Sequence, residues 1–169
     1  MMRRAFWVCC LFLFACASCL SAQSLDDELK ALGMKASNGK MSQAFLDMQP
    51  TLEDCKAVFT ADGAEKVFKY CDTVFALMRN PPEEMEEEDA AFVDAVSMSF
   101  TTEEALADPR ILTGGMRASS SYLLPGVRWH QMRFLRNVGD EQGVTFRYFV
   151  KVGDHWVLFP KPWRALQNR

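Results

Sequence analysis

Apolar and polar positions along this chain repeat with two different periods. Up to Arg79, apolar residues recur at the spacing of helices that pack one face on a core. From Thr113 onward apolar and polar residues alternate instead, which is typical of strands with one buried face. The two periods predict an α+β domain with N-terminal helices, including a helix–helix hairpin, followed by an antiparallel meander of three to four strands.

The predicted helices have recognisable ends. Thr51 precedes an apolar-periodic stretch, and Asp54 follows three positions later, which is the arrangement of a capped helix start. The segment 60–63 interrupts this pattern, and a longer helix then extends to Arg79, where two prolines follow. The sequence thus predicts helices at 25–34, 41–48 and 52–59 and a longer one that follows Gly63 and ends at about Arg79, with a further capped turn at 101–106.

Residues 83–89 are the most strongly biased segment, with a carboxylate at every position except Met85. A calcium loop would alternate acidic residues and contain a glycine turn, and this segment does neither. Carboxylates are favourable at the positive end of a helix dipole. We therefore predict a solvated first turn of a helix that continues through Phe92, Val93 and Val96.

The alternating part of the chain predicts strands at 116–124, 127–136, 144–152 and 155–159. The third strand has the clearest alternation, with one face made of Val144, Phe146, Tyr148, Val150 and Val152. A two-residue turn at 153–154 joins it to the fourth strand. This turn places Val150 opposite Val157 and Tyr148 opposite Phe159.

The first residues have the pattern of an export signal. A short basic start is followed by an apolar run over 5–15 and by small residues up to Ala22. The run is shorter than the roughly 20 apolar residues that a membrane span needs. We therefore expect residues 1–24 to be a signal peptide and 25–169 to form one secreted or periplasmic domain, a retained anchor being the alternative.

Two cysteines of this segment are candidates for lipidation. The sequence Leu13-Phe14-Ala15-Cys16 resembles a bacterial lipoprotein box, in which the cysteine receives lipid, and Cys19 is a second candidate. Lipid at Cys16 or Cys19 would tether the protein to a membrane surface. We expect no other contact with a membrane.

The charge balance excludes nucleic acid as a partner. Removing Arg3 and Arg4 with the signal leaves 17 of the 19 basic residues against 22 acidic ones, a net charge near −5. Binding to nucleic acid depends on neutralising phosphates with Lys and Arg. We therefore expect the partner to be a small ligand or another protein.

Outside the export signal the chain has two cysteines, Cys55 and Cys71. In an oxidising compartment they are predicted to form a disulfide across the helix–helix hairpin. Together with His130 and His155 they could in principle bind zinc, but the intervals are too long for a zinc motif. The sequence contains no other metal or cofactor motif, and we expect no cofactor.

Candidate binding residues lie in the predicted sheet, where large side chains occupy both faces. Such a sheet must be covered on both faces or leave one as a cleft. The candidates are Trp129, His130, Tyr148, Trp156 and Trp163. The sequence contains no nucleophile elbow or phosphate loop, and the alternative is that every aromatic residue belongs to the core.

The hairpin over 148–158 reads apolar-x-Val-x-Gly/Asp-x-Trp near its turn. Together with the preceding helices it resembles the cone-shaped nuclear transport factor 2-like superfamily. Many members of that superfamily are non-catalytic, and those that are enzymes use an Asp–His pair inside the cone. No such pair can be placed from this sequence, so the resemblance implies the fold rather than a reaction.

Three functional hypotheses follow. The first is an exported, non-enzymatic domain that binds a small apolar ligand or a protein partner through the concave face of the sheet. The second is an enzyme of the cone-shaped class with His130 as general base. The third is a structural or accessory envelope protein. A cavity that places His130 beside a carboxylate would favour the second.

Overall fold

The structure is a computed structural model that describes residues 25–35, 45–81 and 92–167. Its helices are α1 (25–35), α2 (Leu52–Val58), α3 (Ala61–Arg79), α4 (Thr102–Ala107), α5 (Gly114–Ala118) and α6 (Trp163–Leu166), with short 3-10 turns at Leu46–Met48 and Ser120–Tyr122. Its strands are β1 (Asp94–Thr101), β2 (Arg128–Leu135), β3 (Val144–Val152) and β4 (His155–Leu158). They form one antiparallel sheet in the order β1-β2-β3-β4, which confirms the α+β class.

Two helices begin with the same reciprocal cap. The Thr51 hydroxyl accepts the Asp54 amide at 3.2 Å, while the Asp54 carboxylate accepts the Thr51 amide at 2.9 Å. Thr101 and Glu104 make the equivalent pair of bonds at the start of α4. Each cap satisfies amides that the first helical turn leaves unpaired, so α2 and α4 start where the sequence predicts.

The predicted helix through Phe92, Val93 and Val96 is wrong. Residues 94–101 are strand β1, which pairs with β2 along its whole length. Valine, methionine and phenylalanine alternate with serine here, and pairing with β2 buries Ala95 on one face and Phe100 on the other. The acidic run at 83–89 lies outside the described residues, and its dipole argument does not extend to 94–101.

The predicted strand at 116–124 is also wrong. Residues of α5 and the following 3-10 turn occupy it, and the side chain of Thr113 caps α5 by accepting the Met116 amide. A local bond from the Ser119 hydroxyl to the Gly115 carbonyl, 3.1 Å long, further supports the helical turn. Strand β1 therefore supplies the fourth strand, and only Leu123 forms an isolated bridge, to Phe59.

The hairpin of β3 and β4 has the predicted register, but one face of β3 changes. Val150 pairs with Val157, and the Phe159 amide donates to the Tyr148 carbonyl at 3.0 Å. Tyr148 has a positive φ of 71°, and the pairing with β2 shifts by one residue there. This β-bulge moves residues before and after Tyr148 to different faces, so the predicted alternation over 144–152 is interrupted.

Successive residues of β2 point to opposite faces, and both faces are covered near its middle. On one face, Met132 packs so closely against Gly33 of α1 that no side chain fits at Gly33. On the other, the Trp129 ring packs edge-on against Phe59, with centroids 5.9 Å apart. Helix α1 and the sheet thus enclose one layer of the core, and His130 belongs to that layer.

Candidate functional site

A cleft opens where β2 and β3 stop pairing. Beyond the pair His130–Phe149, β2 continues beside β1 while β3 continues beside β4. The space between them is about 470 Å³, within the range of small-molecule sites. Its lining includes the apolar residues Leu25, Val58, Val127, Val150 and Val152 and the polar residues Arg128, His130 and Lys151.

His130 is held in the wall of this cleft by Asp26 of α1. The imidazole is 1% exposed, and its Nδ1 lies 2.8 Å from Asp26 Oδ1. The same carboxylate accepts the hydroxyls of Ser97 and Ser99, at 2.9 and 3.1 Å. Because these donors come from β1 and β2, Asp26 fixes the orientation of the His130 ring relative to the sheet.

This arrangement leaves one ring nitrogen unused. A carboxylate only accepts hydrogen bonds, so Nδ1 carries the proton and Nε2 presents a lone pair. His130 Nε2 is buried and has no hydrogen-bond partner within the described part of the chain. Leaving such an atom unsatisfied costs about 1–3 kcal/mol. His130 is one of the residues that line the cleft, and Nε2 is the atom of its ring that the described fold leaves unsatisfied.

The ring is neutral near pH 7. Burial lowers the pKa of His130 from its ordinary value of 6.5, and the positive charge of Arg128 acts in the same direction. The hydrogen bond and the charge of Asp26 oppose this shift without cancelling it. His130 can therefore accept a proton or a hydrogen bond at Nε2.

Trp156 supports His130 from β4. The two rings meet edge to face with centroids 4.9 Å apart. Trp156 Nε1 donates to Glu28 of α1 at 3.0 Å, and Lys151 pairs with the same carboxylate at 2.6 Å. The hydrogen bond from Lys151 is the main cause that lowers the pKa of Glu28. Trp156 is thus a buried packing partner of His130 and does not line the cleft.

The other three predicted aromatic residues lie together on the opposite face. The Tyr148 ring contacts Trp129 and Trp163, with centroid distances of 5.9 and 5.7 Å. The Trp129 indole N–H donates to Thr102, and the Tyr148 hydroxyl bonds to Thr113. Since the polar atoms of Trp129 and Tyr148 are already engaged, these two side chains serve the core, and the partly buried Trp163 packs against it. Of the five predicted binding residues, His130 alone lines the cleft.

Cys55 and Cys71 are free thiols, fully buried on the packed helices α2 and α3. Burial, with a smaller effect from the charge of Asp54, raises the pKa of Cys55 to about 12. Burial also raises the pKa of Cys71, and Cys55 contributes in the same direction. Both thiols are therefore protonated at neutral pH, and their pairing in an oxidising compartment stays a prediction.

A second Asp–His pair lies at the tip of the β3–β4 hairpin. His155 Nε2 is 3.1 Å from Asp54 Oδ1, and the other oxygen of Asp54 caps α2 through Thr51. The pKa of Asp54 is lowered even though burial, the largest effect, acts to raise it, because bonds from Thr51 and His155 favour the carboxylate. This pair ties the hairpin to α2, two elements that border the cleft.

Sequence reasoning missed Asp26, Ser97 and Ser99. The contact from Asp26 to His130 spans 104 positions, and no local pattern reports a contact of that range. One signal was available: Asp26 falls on the helical stripe of Leu29 and Gly33, which are buried. A carboxylate on such a stripe requires a partner in the core.

Among the described residues, no group of three His, Cys, Asp or Glu side chains could hold a metal ion. Cys16 and Cys19 lie outside the described residues. In the part of the chain that the structure describes, no helix has the length and apolar character of a membrane span.

Comparison of the chain with protein-family models, with curated proteins and with solved structures gave no match. The resemblance to the nuclear transport factor 2-like superfamily therefore stays a prediction. The geometry of the cleft and of the Asp26–His130 pair carries the functional argument.

Proposed function

We propose that the cleft binds a small, mainly apolar molecule that donates a hydrogen bond to His130. The observation that carries this proposal concerns His130, a residue of the cleft wall, whose buried Nε2 has no partner among the residues that the structure describes. Asp26 holds the ring in the tautomer that accepts at Nε2. The surrounding walls are mainly aliphatic, which favours an apolar ligand body.

The proposal differs from the sequence-based hypothesis in its residues. The ligand is still a small apolar molecule and His130 is still a binding residue, but the predicted aromatic residues do not line the cleft. Trp156 packs on His130, and Trp129 and Tyr148 fill the core beside the bulge. Binding of a protein partner stays an alternative. The geometry favours a small ligand, because the polar side chain of the site, His130, is buried below the protein surface.

Two isomeric probes test the hydrogen bond. n-Hexanol can donate to Nε2, whereas methyl pentyl ether has the same composition and no donor. We expect calorimetry to show that the alcohol binds about fivefold more tightly, since a net hydrogen bond contributes about 1 kcal/mol. His130→Phe should remove this preference, and His155→Phe, at the other histidine, should retain it.

Equal binding of the alcohol and the ether by the native protein would contradict the proposal, as would binding of neither. If His130→Phe does not fold, the native protein still gives a result. The ¹⁵N resonance of His130 Nε2 should shift on addition of n-hexanol and should stay unchanged with the ether.

A second candidate function is general-base catalysis by His130. The observation that favours it is the arrangement that the sequence analysis named for an enzyme, since His130 lines a cleft and lies beside the Asp26 carboxylate. A carboxylate behind an imidazole fixes the tautomer and stabilises the protonated ring. The test is deuterium incorporation next to the carbonyl of a bound ketone, hexan-2-one, in deuterated buffer. Exchange above the buffer rate that is lost in His130→Phe and Asp26→Asn would support catalysis, and a rate equal to buffer would favour binding alone.

We also propose that this site works outside the cytoplasm. The basic and apolar pattern of residues 1–24 supports export. Mass spectrometry of the protein from its native host should give a mature N-terminus between Cys16 and Leu25, with lipid mass if Cys16 or Cys19 is acylated.

In the exported protein we expect Cys55 and Cys71 to form a disulfide, so that neither reacts with thiol reagents until the disulfide is reduced. This cross-link would contribute about 3 kcal/mol to the free energy of unfolding. An N-terminus at Met1, or titratable thiols in the exported protein once it is unfolded, would contradict these expectations.

A structural or accessory envelope role stays the third candidate. It would be supported if the native protein bound none of the alcohol, ether or ketone probes.

A further inference from the structure

The charged side chains that line the cleft are both cations, Arg128 and Lys151. The two cations differ in whether a carboxylate neutralises them. Lys151 is neutralised by Glu28 at 2.6 Å and lies over the Trp156 ring. Arg128 forms no ion pair with any carboxylate of residues 25–35, 45–81 and 92–167. The cleft therefore holds one cation whose charge the described fold does not balance.

Arg128 and His130 lie on the same strand and both line the cleft. Arg128 lies two positions before His130 on β2, and residues two apart on a strand point to the same face. Burial is the main cause of the lowered pKa of His130, and the charge of Arg128 acts in the same direction. The planar guanidinium has paired N–H groups that match the two oxygens of a carboxylate.

From this juxtaposition we infer that the ligand of the cleft is a small hydroxylated organic acid. Its carboxylate pairs with Arg128, its hydroxyl donates to His130 Nε2, and its aliphatic part packs on Leu25, Val58 and Val150. The two polar positions have opposite requirements, since Arg128 only donates and the neutral Nε2 only accepts. A simple fatty acid satisfies the first position and a simple alcohol satisfies the second, and only a molecule with both groups satisfies both.

The inference rests on the proposed function, and one set of probes separates the two. The probes are α-hydroxyhexanoate and β-hydroxyhexanoate, the terminal vicinal diol of hexane, and hexanoate. The diol keeps a hydroxyl and lacks the charge, while hexanoate keeps the charge and lacks the hydroxyl. We expect one of the hydroxy acids to bind at least about tenfold more tightly than the diol, because charge-assisted bonds are the stronger kind. It should bind about fivefold more tightly than hexanoate, because the hydroxyl adds one neutral hydrogen bond of about 1 kcal/mol.

Two variants assign this preference to its residue. Arg128→Gln should reduce hydroxy-acid binding to the level of diol binding. Arg133→Gln is the matched control, because this arginine lies on the same strand at an exposed position of the opposite face. It should keep the native preference. If Arg128→Gln does not fold, the native protein alone decides, since its hydroxy-acid affinity should fall as salt increases and its diol affinity should not.

The outcomes are distinct. Diol binding that depends on His130, without any gain for the hydroxy acids, would overturn this inference and leave the proposed function standing. Binding of none of the probes would overturn both. A gain for the hydroxy acids that persists in Arg128→Gln and disappears in Lys151→Met would also overturn the assignment to Arg128.

Discussion

The two Asp–His pairs use the same chemical groups in opposite ways. In Asp26–His130 the imidazole is 1% exposed and the carboxylate 23%, whereas in Asp54–His155 the imidazole is 52% exposed and the carboxylate 6%. The buried member of the first pair keeps a free acceptor, His130 Nε2. The buried member of the second, Asp54, uses one oxygen on Thr51 and the other on His155.

This difference separates a site from a structural contact. Both pairs would be found by a search for histidine beside carboxylate, but only the first includes a residue that lines the cleft, His130. The Asp54 pair is complete within the fold, because it closes a helix cap and ties down a hairpin. The Asp26 pair orients a ring whose remaining nitrogen the fold does not use. In our proposal the unsatisfied buried atom, rather than the pair itself, is the reason to assign a function to this place.

The largest expected effect on stability is that of Asp26→Ala. It removes the acceptor for His130 Nδ1 and for the hydroxyls of Ser97 and Ser99. Unpaired buried donors are costly, so we expect urea denaturation to show a loss of about 3 kcal/mol in the free energy of unfolding. Asp27→Ala changes the neighbouring, exposed carboxylate of α1 and should cost less than about 0.5 kcal/mol.

A loss below about 1 kcal/mol in Asp26→Ala would contradict the view that this carboxylate holds the ring, since even one buried donor left unpaired costs that much. In that case His130 would be positioned by its packing on Trp156 alone.

A smaller effect is expected for Asp54→Ala. The variant loses the α2 cap and the bond to His155, and we expect a loss of about 2 kcal/mol in the free energy of unfolding. Glu104→Ala is a matched control, because Glu104 makes the same reciprocal cap on α4 from an exposed position. It should cost about 1 kcal/mol. Equal losses in the two variants would show that burial and the His155 contact add nothing to the cap.

The lowered pKa of Asp54 predicts that the folded protein loses stability in acid. The pKa of this carboxyl is lowered in the folded protein, so the unfolded chain binds a proton first as the pH falls. The stability that this carboxylate contributes is present above its unfolded pKa, about 3.9, and is lost below it. The decline in stability below that pH should be shallower in Asp54→Asn than in the native protein, and an unchanged decline would contradict the lowered pKa.

Where the sequence pattern was local, it predicted the fold well. Thr51 with Asp54 identified a helix start, and the turn at 153–154 fixed the register of β3 with β4. The pattern failed where two local signals competed. The acidic run at 83–89 favours a helix, and this signal outweighed the alternation of apolar and polar residues that belongs to β1. After Gly115 the apolar residues favour a strand, but Thr113 caps a helix there.

The candidate site was less predictable, for two physical reasons. Tyr148 adopts a positive φ, and the resulting bulge changes which side chains of β3 face the cleft. The sequence does not mark this bulge, because the left-handed conformation is usually adopted by glycine and the residue here is a tyrosine. The second reason is the separation of Asp26 and His130 along the sequence, because only the packing of α1 on the sheet brings the two residues together. His130 itself was identifiable, and its partner was not.

The smallest expected effect is a dependence of stability on pH near neutrality, and it distinguishes the two histidines. Burial lowers the pKa of His130 below 6.5. Between the folded and unfolded pKa values the unfolded chain binds a proton that the folded protein does not, so the free energy of unfolding falls as the pH is lowered from about 7.5 toward 5.5. Carboxylates titrate mostly below this window. His130→Phe should therefore flatten the dependence measured by urea denaturation, while His155→Phe should retain it. A dependence that survives in His130→Phe and vanishes in His155→Phe would assign the titration to the hairpin pair and remove the evidence that the His130 ring is neutral and able to accept at Nε2.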